Sequence, residues 1–176
     1  DNDANARRVY EANYGVVPLG DIRGVDPSAL PPFDVVCAGF PCQPWSLAGK
    51  HGGFDDERGT LFGEVMRVAL GGKRKPLAIV LENVPGLVRH DAGRSLARML
   101  AALEAAGYAH TRRVLKASDY GVPQMRRRLF IVAYLPSAVR ADFDPATFFD
   151  VGAHERRTTL TQLLGRPFRR DTAFTV

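Results

Sequence analysis

Apolar positions along this chain alternate between a period near 3.6 and short unbroken runs, and the two patterns succeed one another along the sequence. Ala6, Val9 and Tyr10, with Asn13, share one face of a segment that opens with Asp1 and Asp3 and closes at Gly15, which predicts a short surface helix. Val16 to Ile22 reads as extended. A proline-rich connector from Asp26-Pro27 to Pro32 then leads into the apolar run Phe33 to Ala38, a buried strand. Helical spacing returns with Leu61, Phe62, Val65, Met66 and Ala69, and after a basic, glycine-containing turn comes the run Leu77 to Leu81, long enough for a buried parallel strand. Leu96, Met99, Leu100 and Leu103 mark an amphipathic helix over Arg94 to Ala106, stopped by Gly107. His110 to Ala117 reads as strand, Tyr120-Gly121-Val122-Pro123 as a turn, and Leu129 to Leu135 as the last strand. Beyond Pro136 the periodicity weakens to one short helix around Leu160, Leu163 and Leu164.

Size and charge narrow the picture only slightly. With 176 residues the chain can bury one good core, so one domain is expected. A net charge of +5 suits a polyanionic partner without requiring one. Cys37 and Cys42 have no Cys or His nearby at metal-ligand spacing, which argues against a disulfide framework and a zinc site and fits a reducing cytoplasm. No apolar run approaches the roughly 18 residues of a membrane span and no signal peptide is visible, so a soluble protein is expected.

The chemistry gathers where strands end. Pro41 and Pro44 flank Cys42-Gln43, forbid regular helix and remove backbone donors, so the chain leaves the strand as a stiff loop that holds a thiol exposed. Cys42 is either a presented nucleophile or a small apolar residue in a turn. Glu82 follows an apolar run directly, a costly place for a carboxylate unless it faces a cleft or pairs with a cation. In Arg126-Arg127-Arg128 a period of two puts Arg126 and Arg128 on one side and Arg127 on the other, so two guanidiniums can face a site together; otherwise the run is a solvated charge patch. The glycines around Lys50 and His51 are compatible with a mobile lid or a plain surface turn.

Gly39-Phe40-Pro41-Cys42-Gln43-Pro44-Trp45-Ser46 closely resembles the catalytic motif of DNA (cytosine-5) methyltransferases, most of all the bacterial enzymes. Leu81-Glu82-Asn83-Val84 and Gln124-Met125-Arg126-Arg127-Arg128 are similar to two further motifs of that family, in the family's order, over nearly all of residues 1 to 135. The resemblance implies a Rossmann-like class I methyltransferase, a three-layer α/β sandwich with a mostly parallel sheet, acting on double-stranded DNA with S-adenosylmethionine and without metal. It implies catalytic roles for Cys42, Glu82, Arg126 and Arg128. Cofactor contacts are implied for Asp1, Asp21, Ile22, Phe40 and Leu61, and substrate or DNA contacts for Phe40, Pro41, Gln43, Ser46, Lys50 and Arg58. Bland alternatives stand beside several of these: helix capping for Asp1, an Asx turn or cap for Asp21, a solvated side chain for Arg58. Arg127 departs from the family pattern, where many members carry Glu.

The family's Phe-Xaa-Gly-Xaa-Gly loop, which cradles the methionine end of the cofactor, has no counterpart here, and the chain starts at Asp1 without a methionine. The expectation is a truncated core over residues 1–135, lacking the first strand, with 136–176 leading toward a target-recognition domain, and inactive by itself. A cognate restriction endonuclease is the functional partner the resemblance implies, in a nucleoid-associated, cytoplasmic setting. Two other readings compete: a transfer RNA cytosine-5 methyltransferase, and a catalytically silent DNA-binding remnant.

Overall fold

The computed structural model describes residues 1–40 and 61–150. Helix α1, Ala4–Tyr14, starts where the Asp3 carboxylate accepts from the Asn5 and Ala6 amides and stops at Gly15, whose φ of 68° only glycine adopts freely. None of its residues is buried, as a surface helix requires. Strand β1 (Val35–Gly39) precedes α2 (Leu61–Leu70), β2 (Ala78–Asn83), α3 (Arg94–Ala105), β3 (Ala109–Lys116) and β4 (Arg127–Tyr134). The elements follow the sequence pattern within a residue or two, with one shift that matters. The second strand runs on through Asn83, so Glu82 lies within the ladder.

Among the described residues these strands form one sheet in the order β1-β2-β4-β3. β1 and β2 pair in parallel, with α2 in the connection between them, while β4 pairs antiparallel with both β2 and β3. The α/β class is as expected, and within this mixed sheet β1, β2 and β3 run in one direction while β4 alone runs against them. The turn after β3 is the cause. It reverses the chain, so β4 returns antiparallel and inserts between β2 and β3, where a helical crossover would have laid it parallel.

The core lies on one face of the sheet. Ile79 and Leu81 of β2 and Leu129, Ile131 and Ala133 of β4 meet Phe62, Val65, Met66 and Ala69 of α2 and Leu96, Met99, Leu100 and Leu103 of α3 in one buried cluster. The inward positions are those at helical and alternating spacing, so the same residues that define each element also close it against the next. On the opposite face Val80, Phe130 and Val132 line an open cleft of about 800 Å³ that residues of the 139–149 segment border, with Phe143, Phe148 and Phe149 in edge-to-face contacts. Among the described residues no regular helix covers that face.

Two tethers fix the strand ends. The turn after α2 packs so closely that a Cβ on Gly71 would lie 2.8 Å from the Arg67 carbonyl oxygen and 3.0 Å from Pro27 Cβ. Tyr108, entering β3, is 2% exposed and donates its hydroxyl to the Pro76 carbonyl at 2.7 Å, tying the start of β3 to the start of β2. Burial pushes that hydroxyl above the usual phenol range, so it stays a neutral donor. Tyr108→Phe keeps the packing and leaves a buried carbonyl without its donor, which should destabilise the fold by about 1–2 kcal/mol. Thermal melts of the two proteins measure this; an unchanged midpoint would mean that the bond contributes nothing net.

Candidate active site

Three strand ends meet at one rim of the sheet. Gly39, the last residue of β1, is in register with Glu82 of β2, and Glu82 is opposite Phe130 of β4. Because β4 runs antiparallel, its amino end reaches the rim where β1 and β2 have their carboxyl ends, the side of an α/β sheet where ligands bind. Side-chain alternation then puts Glu82, Arg128 and Phe130 on the face away from α2 and α3.

The charges follow from that placement. Arg128 Nε lies 2.7 Å from Glu82 Oε1, and an Nη of Arg126 lies 3.5 Å from the same oxygen. The two arginines expected to act together thus converge on the one carboxylate expected beside them. Arg128 also donates to the Arg127 carbonyl at 2.9 Å, which holds its guanidinium plane. The Glu82 side chain is 31% exposed, Arg128 24% and Arg126 49%, so the group is sheltered yet open to a ligand. Arg127 is exposed, on the other side of the alternation. The other Glu82 oxygen is packed against β1: a Cβ on Gly39 would come within 3.3 Å of Oε2. The glycine gives the carboxylate its room.

Asn83, absent from the sequence-based site, belongs to it structurally. It is 3% exposed, donates Nδ2 to the Phe40 carbonyl at 3.4 Å, and accepts the Val84 amide on Oδ1 at 2.9 Å. Phe40 is itself buried, its ring 6.1 Å from that of Phe62. The residue next to Pro41 is therefore held from both its carbonyl and its side chain, and the chain enters the cysteine loop from a fixed point. The place of Asn83 in the Leu81-Glu82-Asn83-Val84 motif was the sequence signal for it. Pro41, Cys42, Gln43, Ser46, Lys50 and Arg58, with the glycine-rich segment, lie outside the described residues.

A second group of expected residues sits across α2. Asp21 caps the 3-10 turn Ile22–Gly24, its Oδ1 accepting from the Arg23 amide at 2.9 Å and its Oδ2 lying 3.9 Å from the Arg23 guanidinium. The Asx-turn reading of Asp21 is thus realised, and its carboxylate remains 43% exposed. Ile22 and Leu61 both pack on the core cluster while staying partly exposed. Asp1 is not the helix cap; Asp3 is, and the Asp1 carboxylate accepts from the Asp3 amide. The Asp1 nitrogen lies 3.2 Å from the Leu19 and Gly20 carbonyl oxygens, which brings Asp1 beside Asp21. An exposed carboxylate beside the half-buried Ile22, on a turn packed against α2, suits a ligand with an amino-bearing, flat apolar ring. Among the described residues no group of three or more His, Cys, Asp or Glu could hold a metal ion.

The family model of C-5 cytosine-specific DNA methylases matches residues 1–171. The chain belongs to that family. It is 48% identical over 132 residues to the Type II methyltransferase M.NgoBI of Neisseria gonorrhoeae, a match covering 75% of this chain and 41% of that protein. Against the Type II methyltransferase M.MspI of Moraxella sp the identity is 42% over 153 residues, 85% of this chain and 36% of that protein. The chain thus spans about two fifths of the length of such relatives. Among solved structures, the S. pombe Dnmt2 methyltransferase matches with a TM-score of 0.66 at 20% identity over 89% of this chain and 48% of that one. The Entamoeba histolytica methyltransferase EhMeth gives 0.67 at 18%, over 90% and 48%. At these identities the likeness is one of fold, and it agrees with the α/β domain described above.

Proposed function

We propose that the protein carrying this chain transfers a methyl group from S-adenosylmethionine to carbon 5 of cytosine in duplex DNA, through a covalent Cys42 adduct on a flipped-out base. The observation that carries this reading is the Glu82 carboxylate gripped by Arg128 and Arg126 at the rim where β1 delivers the chain to the cysteine loop. Carbon 5 of cytosine is a poor nucleophile, so the ring has to be activated first. The Cys42 thiolate adds to carbon 6, and Arg126 close to the rim is suited to favouring that thiolate. As the sulfur–carbon bond forms, electron density moves into the ring, and Glu82, which takes up a proton as the base binds, passes it to ring nitrogen 3 to absorb that density. Arg128, fixed on Glu82, orients the acid and holds the base through its carbonyl oxygen.

S-adenosylmethionine supplies an electrophilic methyl group to the activated carbon 5. Loss of the carbon 5 proton to a water molecule then restores the carbon 5–carbon 6 double bond and expels the Cys42 thiolate, and the proton on ring nitrogen 3 returns to Glu82. Asp21, Ile22 and Leu61 would hold the adenine end of the cofactor, with Asp1 at its ribose and Phe40 alongside. A stacked base is out of reach of such a pocket, so the nucleotide is flipped at a cost of a few kcal/mol, offset by contacts from Lys50, Arg58 and the cysteine loop. The family description and the Type II names of the curated relatives favour DNA over transfer RNA, and the intact Glu82–arginine group argues against a silent remnant. The same Type II names support a cognate restriction endonuclease as functional partner, in a cytoplasmic, nucleoid-associated setting; an open reading frame beside this one whose nuclease spares DNA methylated by this protein would establish it, and none would remove that part of the reading.

Two outcomes test the residue roles in the complete protein. Cys42→Ser should abolish methylation and keep DNA binding, and Glu82→Gln, which keeps a carbonyl but has no proton to give, should lower turnover by roughly 10²-fold or more with DNA affinity little changed. Bisulfite sequencing, a methyl-transfer assay and gel shifts read these; a Ser variant within tenfold of the parent would remove Cys42 from the mechanism. Residues 1–176 alone should bind S-adenosylmethionine too weakly to saturate at micromolar concentration and should not methylate DNA, because these residues contain no Phe-Xaa-Gly-Xaa-Gly sequence to supply backbone donors to the amino-acid end. Calorimetry on the isolated chain measures that, and tight saturable binding would contradict it.

A further inference from the structure

Arg67 stands on α2 where its place in the helical pattern would make it an ordinary solvated cation, yet its side chain is only 38% exposed and every guanidinium nitrogen has a partner. Nε donates to Glu64 Oε2 at 2.7 Å, one turn back on the same helix. Nη1 donates to the Val25 carbonyl at 2.9 Å and Nη2 to the Ile22 carbonyl at 2.8 Å, with the Arg23 carbonyl 3.5 Å away. Those acceptors belong to the 3-10 turn that Asp21 caps and to its closing residue. The Ile22 carbonyl already accepts from the Val25 amide at 3.1 Å, and a planar fork of fixed geometry serves its second lone pair and the Val25 carbonyl at once, where an ammonium cannot.

Resting on the methyltransferase reading above, we propose that Arg67 is the positioning residue of the cofactor pocket. Leu61 and Arg67 belong to the same helix, so the fork fixes the distance between α2 and the Asp21–Ile22 turn, the two sides between which the adenine ring would sit. Glu64 holds the fork in the needed rotamer. Arg67 touches neither base nor cofactor and works through the backbone of the turn. Its loss should therefore weaken cofactor binding more than it disturbs the cysteine rim, which α2 meets through Phe62 and not through Arg67.

The test uses the complete protein, with Arg67→Ala and Arg67→Lys compared with the parent. We expect Arg67→Ala to raise the Kd for S-adenosylmethionine, and the KM with it, about tenfold, with kcat at saturating cofactor and DNA affinity within about twofold of the parent. Arg67→Lys, which keeps the charge and the aliphatic stem, should recover only part of that loss. Parental cofactor affinity in Arg67→Ala would overturn the proposal, as would equal losses in cofactor affinity, DNA affinity and kcat, the signature of general destabilisation. Should Arg67→Ala fail to fold, parental cofactor affinity in Arg67→Lys overturns it instead. A parent that binds no S-adenosylmethionine would strike the methyltransferase reading itself, and this inference with it.

Discussion

The Glu82 carboxylate and the arginines around it are the constraint on which the rest of the site depends. A carboxylate still inside the ladder at a strand's end, two-thirds withdrawn from water, is costly to keep unless a cation is delivered to it. The delivery comes from topology. Had β4 run parallel to β2, its amino end and the arginines there would lie at the opposite rim. The chain reversal after β3 therefore does two things at once, completing the core with Leu129, Ile131 and Ala133 and bringing Arg126 and Arg128 to Glu82. Breaking the pair from one side would leave a sheltered, unmatched charge at the rim.

Around that pair, the neighbouring contacts fix position more than they add energy. Gly39 leaves space beside Glu82, Asn83 grips the Phe40 carbonyl, and the Phe40 ring is anchored next to Phe62. On the other side of α2, Arg67 ties the turn that carries Asp21 to the helix that carries Leu61. One helix thus borders both the residue that leads into the Cys42 segment and the proposed adenine pocket. β1 pairs on one side only among the described residues, and Val35 in it is 52% exposed, as are Val9, Tyr14, Val16, Val17 and Leu19 or more so before it.

Much of this was legible in the sequence because it is encoded locally. Helix bounds follow from caps and glycines, strand faces from alternation, and the joint facing of Arg126 and Arg128 from a period of two. What was not legible is encoded by partners distant in the chain. The direction of β4 depends on which strand it inserts beside, and periodicity carries no sign for that. Asp3 takes the cap expected near Asp1 because only its side chain lies within reach of the free amides. Asn83 and Arg67 resemble ordinary polar residues until their acceptors, the Phe40 carbonyl and the Ile22 and Val25 carbonyls, arrive from more than forty residues away.

The central claim is that Cys42 attacks carbon 6 of a cytosine whose charge Glu82 absorbs. Duplex DNA in which cytosine is replaced by 5-fluorocytosine tests it directly, because fluorine at carbon 5 leaves no proton to remove and the adduct cannot collapse after methyl transfer. With S-adenosylmethionine present, the complete protein should become linked to that DNA in a form stable to denaturant, and peptide mass spectrometry should find the nucleotide on Cys42. A linkage at another residue, or active methylation of ordinary DNA with no trapped complex on the fluorinated duplex, would contradict the account.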